Sequence, residues 1–256
     1  MIRIIICILV LLANISYADA PMNPNPGTSD NGMNSGIERK ATTGIVFPQN
    51  GLGFENREKI ETAKALILQQ RKFEQAGVLL DEVIKAFETN YIKKDTGFVS
   101  FLDKNAFERY CTSSGKIDAV WLDWSYRDAY FFKAFMAVEQ NNNELALQVL
   151  DKVISIISPD DPEALCEKGN IYNNTGRIAE GLEQYLHAYE LTKEINSYKH
   201  YMALALRGMG FSYIELGKLQ EAEEAYTESL KLEPNNSIAI SELRYINHIK
   251  PKIQNK

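Results

Sequence analysis

Along most of the chain apolar residues recur every three or four positions, and this spacing predicts amphipathic helices joined in antiparallel pairs. The pattern starts near Phe54, where Ile60, Ala63, Lys64, Ile67 and Leu68 keep a helical period. KFEQAGVLLDEVIKAF repeats it with Ala76, Leu79, Leu80, Val83 and Phe87, so residues 54–94 read as a helical hairpin. The period then changes: FVSF (Phe98 to Phe101) and AVWL (Ala119 to Leu122) read as short strands. Between them Asn105 and Glu108 have the spacing of a capping box that opens a short helix. Residues 95–126 therefore predict a small parallel strand pair around one helix. Two strands alone are marginal, so they need neighbouring helices or a third strand.

From Arg127 onward the chain compares with itself. YFFKAFMAVEQNNNELALQVLDKVI, LCEKGNIYNNTGRIAEGLEQYLHAY and LRGMGFSYIELGKLQEAEEAYTESL superpose as helix, turn, helix. Small residues recur at Ala134, Gly169 and Gly210 in the first helix and at Ala146, Gly181 and Ala222 in the second. Larger partners stand at Tyr172 and Tyr213, then at Leu150, Tyr185 and Tyr226, and only Ala137 departs from the pattern. Two antiparallel helices approach closely only where neither carries a bulky side chain, and an aromatic ring a turn away fills the wedge beside the crossing.

At these positions the sequence resembles the tetratricopeptide repeat family, whose repeat carries W-x2-L-G-x2-Y, then A-x3-F, then P. Leu206, Met209, Gly210, Tyr213, Ala222, Tyr226 and Pro234 follow it, with Leu at the Trp position. The resemblance covers 127–160, 162–195 and 203–236, with 54–94 as a degenerate copy. NSYKHYM adds two helical turns between the last two repeats. It implies an all-α tetratricopeptide solenoid interrupted by the small α/β insert at 95–126. Asp161, Pro162 and Glu163 supply an N-cap, a first-turn proline and a first-turn acid. The helix at 237–250 is expected to cap the stack, with Ile238, Leu243 and Ile246 inward and Glu242, Arg244 and Asn247 outward.

Composition narrows the partners. The 256 residues are 45% hydrophobic, enough for a substantial core. The formal charge of −6 comes from interspersed acids and bases. That leaves no broad cationic face for nucleic acid or an anionic membrane. The start, MIRIIICILVLLANISYADA, sets Arg3 before an apolar run from Ile4 to Leu12 and small residues at Ser16 and Ala18. Residues 1–18 thus read as a secretory signal peptide, and the run is about half of the roughly 20 residues a spanning helix needs. Cys7 lies inside the run rather than after it, which argues against lipid attachment. The expectation is export to a periplasmic or extracellular space, with no membrane insertion after cleavage. Residues 19–53, rich in Pro, Asn and Gly, are expected to be a disordered arm in which GIVFP is the one apolar island. Cys111 and Cys166 are expected to be buried free thiols, although an exported compartment permits a disulfide.

Motifs for chemistry are sparse. His187, His200 and His248 lack metal-ligand spacing, and no HExxH, GxSxG, phosphate loop or GxGxxG occurs, so neither a metal nor a cofactor is expected. WLDWSYRD places Asp123 and Asp128 around Trp124 and Tyr126, which would serve an acid and base in an enzymatic reading. The competing reading is structural: the aromatics pack the insert, and Asp123 or Ser125 caps the next helix. Asn173-Asn174-Thr175 and Asn235-Asn236-Ser237 match the glycosylation sequon and sit where the repeat turns favour asparagine.

The resemblance also implies that the first helix of each pair lines a concave groove. By position this assigns Phe131, Phe135 and Val138, then Cys166, Asn170 and Asn173, then Arg207, Phe211 and Ile214 to binding a protein or peptide partner. Family members that grip C-terminal carboxylates use Lys, Arg and Asn. Here Phe131, Phe135, Leu204 and Gly208 stand at such positions, so that ligand class does not follow. Phe131 and Phe132 also lie on a helix that is apolar on both sides, which predicts burial beneath the insert as an alternative. The functional expectation is an exported, non-enzymatic adaptor. Its rivals are a small enzyme built on the insert and a structural subunit of an envelope assembly.

Overall fold

The computed structural model describes residues 51–254 except 94–96, 102–103, 117 and 194, with the backbone alone at 196 and 251–254. The expected signal peptide and almost all of the arm lie outside these residues.

After a 3-10 turn at Phe54–Asn56, helices α1 (Arg57–Leu68) and α2 (Phe73–Asn90) form the first hairpin. Its apolar stripe is the one the sequence spaces out: Ile60, Ala63 and Ile67 from α1, and Ala76, Leu80, Val83 and Phe87 from α2, are buried. Gly53 makes the entry possible. Its φ is 89°, and a Cβ there would lie 2.4 Å from the Phe87 ring, so both conformation and space demand glycine.

The insert comprises β1 (Phe98–Ser100), α3 (Lys104–Ser114) and β2 (Val120–Leu122), with Phe98 opposite Val120 in a parallel pair. The strand pair recruits a third partner from the end of the proposed arm. Leu52 bridges Leu122, donating its N–H to the Trp121 carbonyl at 2.9 Å and accepting from the Asp123 N–H at 2.8 Å. Residues 51–53 are therefore ordered, because the free edge of β2 offers backbone groups that need partners. The capping box is not used as expected: α3 begins at Lys104, so Asn105 lies in the first turn, and Glu108 pairs with Lys104 at 3.6 Å. Phe107 stacks on Trp121 with ring centroids 5.3 Å apart, and Cys111 of the same helix is buried with its thiol free.

The full repeats follow as α4 (Trp124–Glu139) with α5 (Asn143–Lys152), α6 (Pro162–Asn174) with α7 (Ile178–Thr192), and α8 (Lys199–Glu215) with α9 (Leu219–Leu232). Helix α4 starts three residues before Arg127 because Asp123 caps it, accepting from the Ser125 N–H at 3.1 Å. Tyr126 joins three parts of the fold: its ring lies 4.9 Å from Phe87, 6.0 Å from Phe98 and 5.4 Å from Tyr130. Helix α5 passes into a π turn at Val153–Ile157 that the pattern does not announce. The added residues Asn196–Tyr198 form a 3-10 turn, and α8 is correspondingly long.

The close crossings fall where the small residues recur. A Cβ on Gly210 would lie 2.6 Å from Tyr226, and one on Gly169 would lie 2.9 Å from Tyr185 and 3.1 Å from the Gly181 carbonyl. The helices thus touch backbone to backbone with a tyrosine in the wedge. Helix α10 (Ser237–Gln254) closes the stack by burying Ala239 and Ile246 against Ala222 and Tyr226, with Leu243 partly buried. Arg244 and Asn247 face water, while Ile238 and Glu242 are half-buried. No helix among the described residues is long and apolar enough to cross a membrane.

Candidate binding face

Helix α6 lies between the first helices of its neighbours. Glu163, Cys166, Glu167, Asn170 and Asn173 recur at three- and four-residue intervals and so share one face of it. One side of this face reaches α4, where the Arg127 guanidinium lies 2.9 Å from Glu163. The other reaches α8, where Asn173 Nδ2 donates to Ser212 Oγ at 2.9 Å.

The nine sequence-assigned residues divide unequally. Cys166, Asn173 and Arg207 come together between α6 and α8, Asn170 shares their face of α6, and all four are buried. Asn173 is committed to Ser212, and Arg207 to Glu233 at 2.6 Å, a carboxylate that also meets His200 at 2.8 Å. The Cys166 thiol is free, and burial, reinforced by the charge of Glu163, raises its pKa well above the usual value. Asn170 accepts from Asn174 at 3.2 Å, but its own Nδ2 has no hydrogen-bond partner. Phe131 is drawn elsewhere: it is buried with the Arg127 guanidinium 4.3 Å from its ring centre and Phe132 edge-on beside it. Phe135 is buried, while Val138, Phe211 and Ile214 remain half-exposed.

Sequence reading missed the charged group that joins α4 to α6. Arg127 donates to Asp128 at 2.8 Å, to both oxygens of Asp161 at 2.8 Å, and pairs with Glu163, with all four residues buried. Asp161 also caps α6 by accepting from the Ala164 N–H at 2.9 Å. Burial alone would raise the Asp161 pKa, but Arg127 and the cap outweigh it and hold the carboxyl below its usual range. Asp128 and Glu163 are pushed up, because burial exceeds the relief Arg127 gives them. Glu167, one turn further along α6, has its pKa pushed up to about 7, first by burial and then by the charges of Glu163 and Glu139, with the nearby Asn170 amide opposing. Its Oε1 has no hydrogen-bond partner. The signal was present as acids at 161, 163 and 167, but the first two also suit a helix start and were read only as that.

The two carboxylates of the enzymatic reading are both engaged. Asp123 is fully buried and receives Arg57 at 3.0 and 2.6 Å, with that guanidinium 5.3 Å from the Trp124 ring centre. Asp128 is held by Arg127. A cleft of about 540 Å³ opens beside the insert between Phe98, Tyr110, Lys116, Ser155 and Ile156, and neither aspartate lines it. Among the described residues no three His, Cys, Asp or Glu side chains are placed to hold a metal ion.

Paired helices stacked side by side, with their first helices on a common face, define a helical-hairpin solenoid. Residues 160–233, spanning α6 to α9, match the tetratricopeptide repeat family. The fold is accordingly an all-α tetratricopeptide solenoid with a small α/β insert. The first full hairpin lies outside the matched stretch. Similar solved structures include the Sgt2 TPR domain from Aspergillus fumigatus, 17% identical over 51% of this chain and 82% of that one, with a TM-score of 0.46. The first TPR of Spaghetti (RPAP3), bound to an HSP90 peptide, is 23% identical over 49% of this chain and 93% of that one, TM-score 0.44. A Podosopora anserina kinesin light chain with nearly identical TPR-like repeats is 14% identical over 80% and 99%, TM-score 0.46. No curated protein matches this chain.

Proposed function

We propose that the protein is an exported adaptor that holds an extended segment of a partner protein against the face shared by α4, α6 and α8. The observation that carries this reading is the unpartnered Nδ2 of Asn170, on the face of α6 from which Asn173 reaches Ser212 of α8, the helix that also carries the half-exposed Phe211. A buried donor without an acceptor costs on the order of 1–3 kcal/mol, and the backbone carbonyl of a bound segment would satisfy it. Aromatic and aliphatic side chains beside it would take alternate side chains of that segment. The match of α6 to α9 to the tetratricopeptide family supports a binding module. Export rests on the pattern of residues 1–18, and intact mass of the protein from its native host tests it: a chain still beginning at Met1 would contradict export. The non-enzymatic reading is supported by the ion pairs that occupy Asp123 and Asp128.

The binding reading is tested by selecting ligands from a random linear peptide library on the folded protein and measuring their affinity by fluorescence anisotropy. Phe211→Ala is expected to weaken binding about thirtyfold, with helix content unchanged by circular dichroism. Asn170→Ala is expected to weaken it less. Asn173 is the wrong residue to change, since it holds Ser212. Undiminished binding by Phe211→Ala, together with loss on substituting Trp121 or Tyr110, would move the functional surface to the insert.

A further inference from the structure

Asn170 shares its face of α6 with Glu167, and the charges around this pair are one-sided. Three buried carboxyl groups share one guanidinium, Asp128 of α4, Asp161 at the start of α6 and Glu163 within it, and a fourth, Glu167, is buried one turn further along α6. Arg127 engages the first three. Glu167 is left over, 3% exposed, with Oε1 unpartnered. The other charges facing this region do not compensate it. Glu139 of α4 adds to the negative potential and is itself held by Arg71. Lys64 of α1 acts on Asp128, and Arg207 of α8 acts on Cys166 while paired with Glu233. Among the described residues, no cation pairs with Glu167.

We propose that Glu167 is the receptor for one cationic side chain, lysine or arginine, projecting from the segment bound on this face, with Asn170 Nδ2 donating to a backbone carbonyl of the same segment. This rests on the binding face proposed above and specifies the chemistry of its ligand. The two atoms, neither in a hydrogen bond of normal geometry, are of opposite kinds, an acceptor and a donor one turn apart on one helix; the amide is near enough to ease the Glu167 charge, and a ligand that bonds each separately would replace that weak contact. A basic residue in an extended chain presents the complementary pair, a cation on a long thin stem and a carbonyl at its base. Charge complementarity also selects against an acidic segment, since Glu163 and Glu139 add to the negative potential at the site. Glu167 is placed as a functional rather than a stabilising group: an unpaired buried carboxyl lowers stability, and such groups persist where a ligand satisfies them. Because burial brings this carboxyl to about 7 in the free protein, a cation that requires the ionised form would displace its proton, and affinity would fall as the pH drops from 8 to 6.

The test selects random linear peptides on the full chain and on its Glu167→Gln and Phe211→Ala variants. Selected peptides are expected to carry Lys or Arg at one fixed position. Replacing that residue by norleucine in the peptide is expected to weaken binding about tenfold to a hundredfold, and Glu167→Gln to weaken it equally. Binding to the wild type is expected to weaken about tenfold from pH 8 to pH 6, and binding to Glu167→Gln to stay level. The norleucine peptide keeps the test independent of how well the variant folds. Peptides without a fixed basic residue, or equal binding by Glu167→Gln, overturn the cation receptor; if they still depend on Phe211, the binding face stands. Insensitivity to Phe211→Ala as well, or a library with no binders, overturns both. Residues 19–53 contain two cations, Arg39 and Lys40. Binders that appear only in Arg39→Ala/Lys40→Ala would show the site to serve the chain's own arm and overturn the separate segment.

Discussion

Between α8 and α9 the helices meet at Gly210, where a Cβ would strike Tyr226 at 2.6 Å, and the joint is uncharged and close-packed. Between α4 and α6 the joint is Arg127, buried among Asp128, Asp161 and Glu163. The first joint derives its stability from contact and area. The second derives it from mutual compensation of charges that would each be costly alone. The two therefore respond to substitution differently: a packing joint degrades with the volume added, whereas a charge joint fails when one partner is removed. The same excess of acid that binds Arg127 leaves Glu167 uncompensated, so the charged joint and the proposed ligand site are parts of one arrangement.

The largest effect is expected from Arg127→Met. It leaves three buried carboxyls without their cation, and breaking a buried pair in this way costs about 3–5 kcal/mol. Urea unfolding monitored by circular dichroism measures it. A loss below about 1 kcal/mol would mean that water reaches these groups, and the contrast between the joints would disappear.

The next effect has the opposite sign. The Glu167 carboxyl moves from its ordinary 4.5 to about 7 on folding, so the folded chain prefers it protonated. Its contribution is most favourable below the ordinary value and is lost as the pH rises through 7. Asp161, held low by Arg127 and its cap, works in the other direction, and its contribution is lost as the pH falls through its folded value, below 3.8. Glu167→Gln is therefore expected to stabilise the protein at pH 8 by roughly 2–3 kcal/mol and to change little at pH 4. A residual slope due to Asp128 and Glu163 should remain. Thermal melts of both proteins across this range decide it, and destabilisation at pH 8 would show Glu167 to be structural.

These joints also differ in how far the sequence announces them. Gly169 with Gly181, Gly210 with Ala222, and their tyrosines keep a fixed spacing within each hairpin because each crossing is local to it, so spacing alone locates them. Arg127 meets Asp161 thirty-four positions away, in the next repeat, and no periodicity marks the pairing. Its acids look like ordinary first-turn acids until the helices are stacked. Leu52 was hidden for a similar reason, since a single residue joining an edge has no period at all. Repeat position placed Cys166, Asn170, Asn173 and Arg207 on the candidate face. It could not reveal that Ser212 and Glu233 already occupy two of them, because those partners depend on the width of the gap between helices.

Gly210→Leu sharpens the packing side of the comparison. It is expected to cost about 1–3 kcal/mol by forcing Tyr226 or the helix aside. If the clash is with the ring, Gly210→Leu/Tyr226→Ala should be less destabilised than the sum of the single changes, since the smaller residue makes room. Additive losses in a double-mutant cycle would place the strain in the backbone contact instead.

The smallest effects are expected at two surface glutamates on α9, and they test what holds the capping helix. Glu228 pairs with Lys231 one turn along the same helix, with both side chains more than half exposed. Such pairs contribute little, so Glu228→Gln should change stability by under about 0.5 kcal/mol. Glu223 reaches across to Lys250 of α10, and these side chains are only about a third exposed. Glu223→Gln should therefore cost somewhat more, up to about 1 kcal/mol, and the difference should shrink in high salt as screening weakens an exposed pair. If α10 is held by Ala239 and Ile246 against Ala222 and Tyr226, this cost stays well below that of Gly210→Leu. Should urea unfolding give Glu223→Gln a loss equal to that of Gly210→Leu, the cap would be fastened by charge, and the α4 to α6 joint would no longer be the exception in the stack.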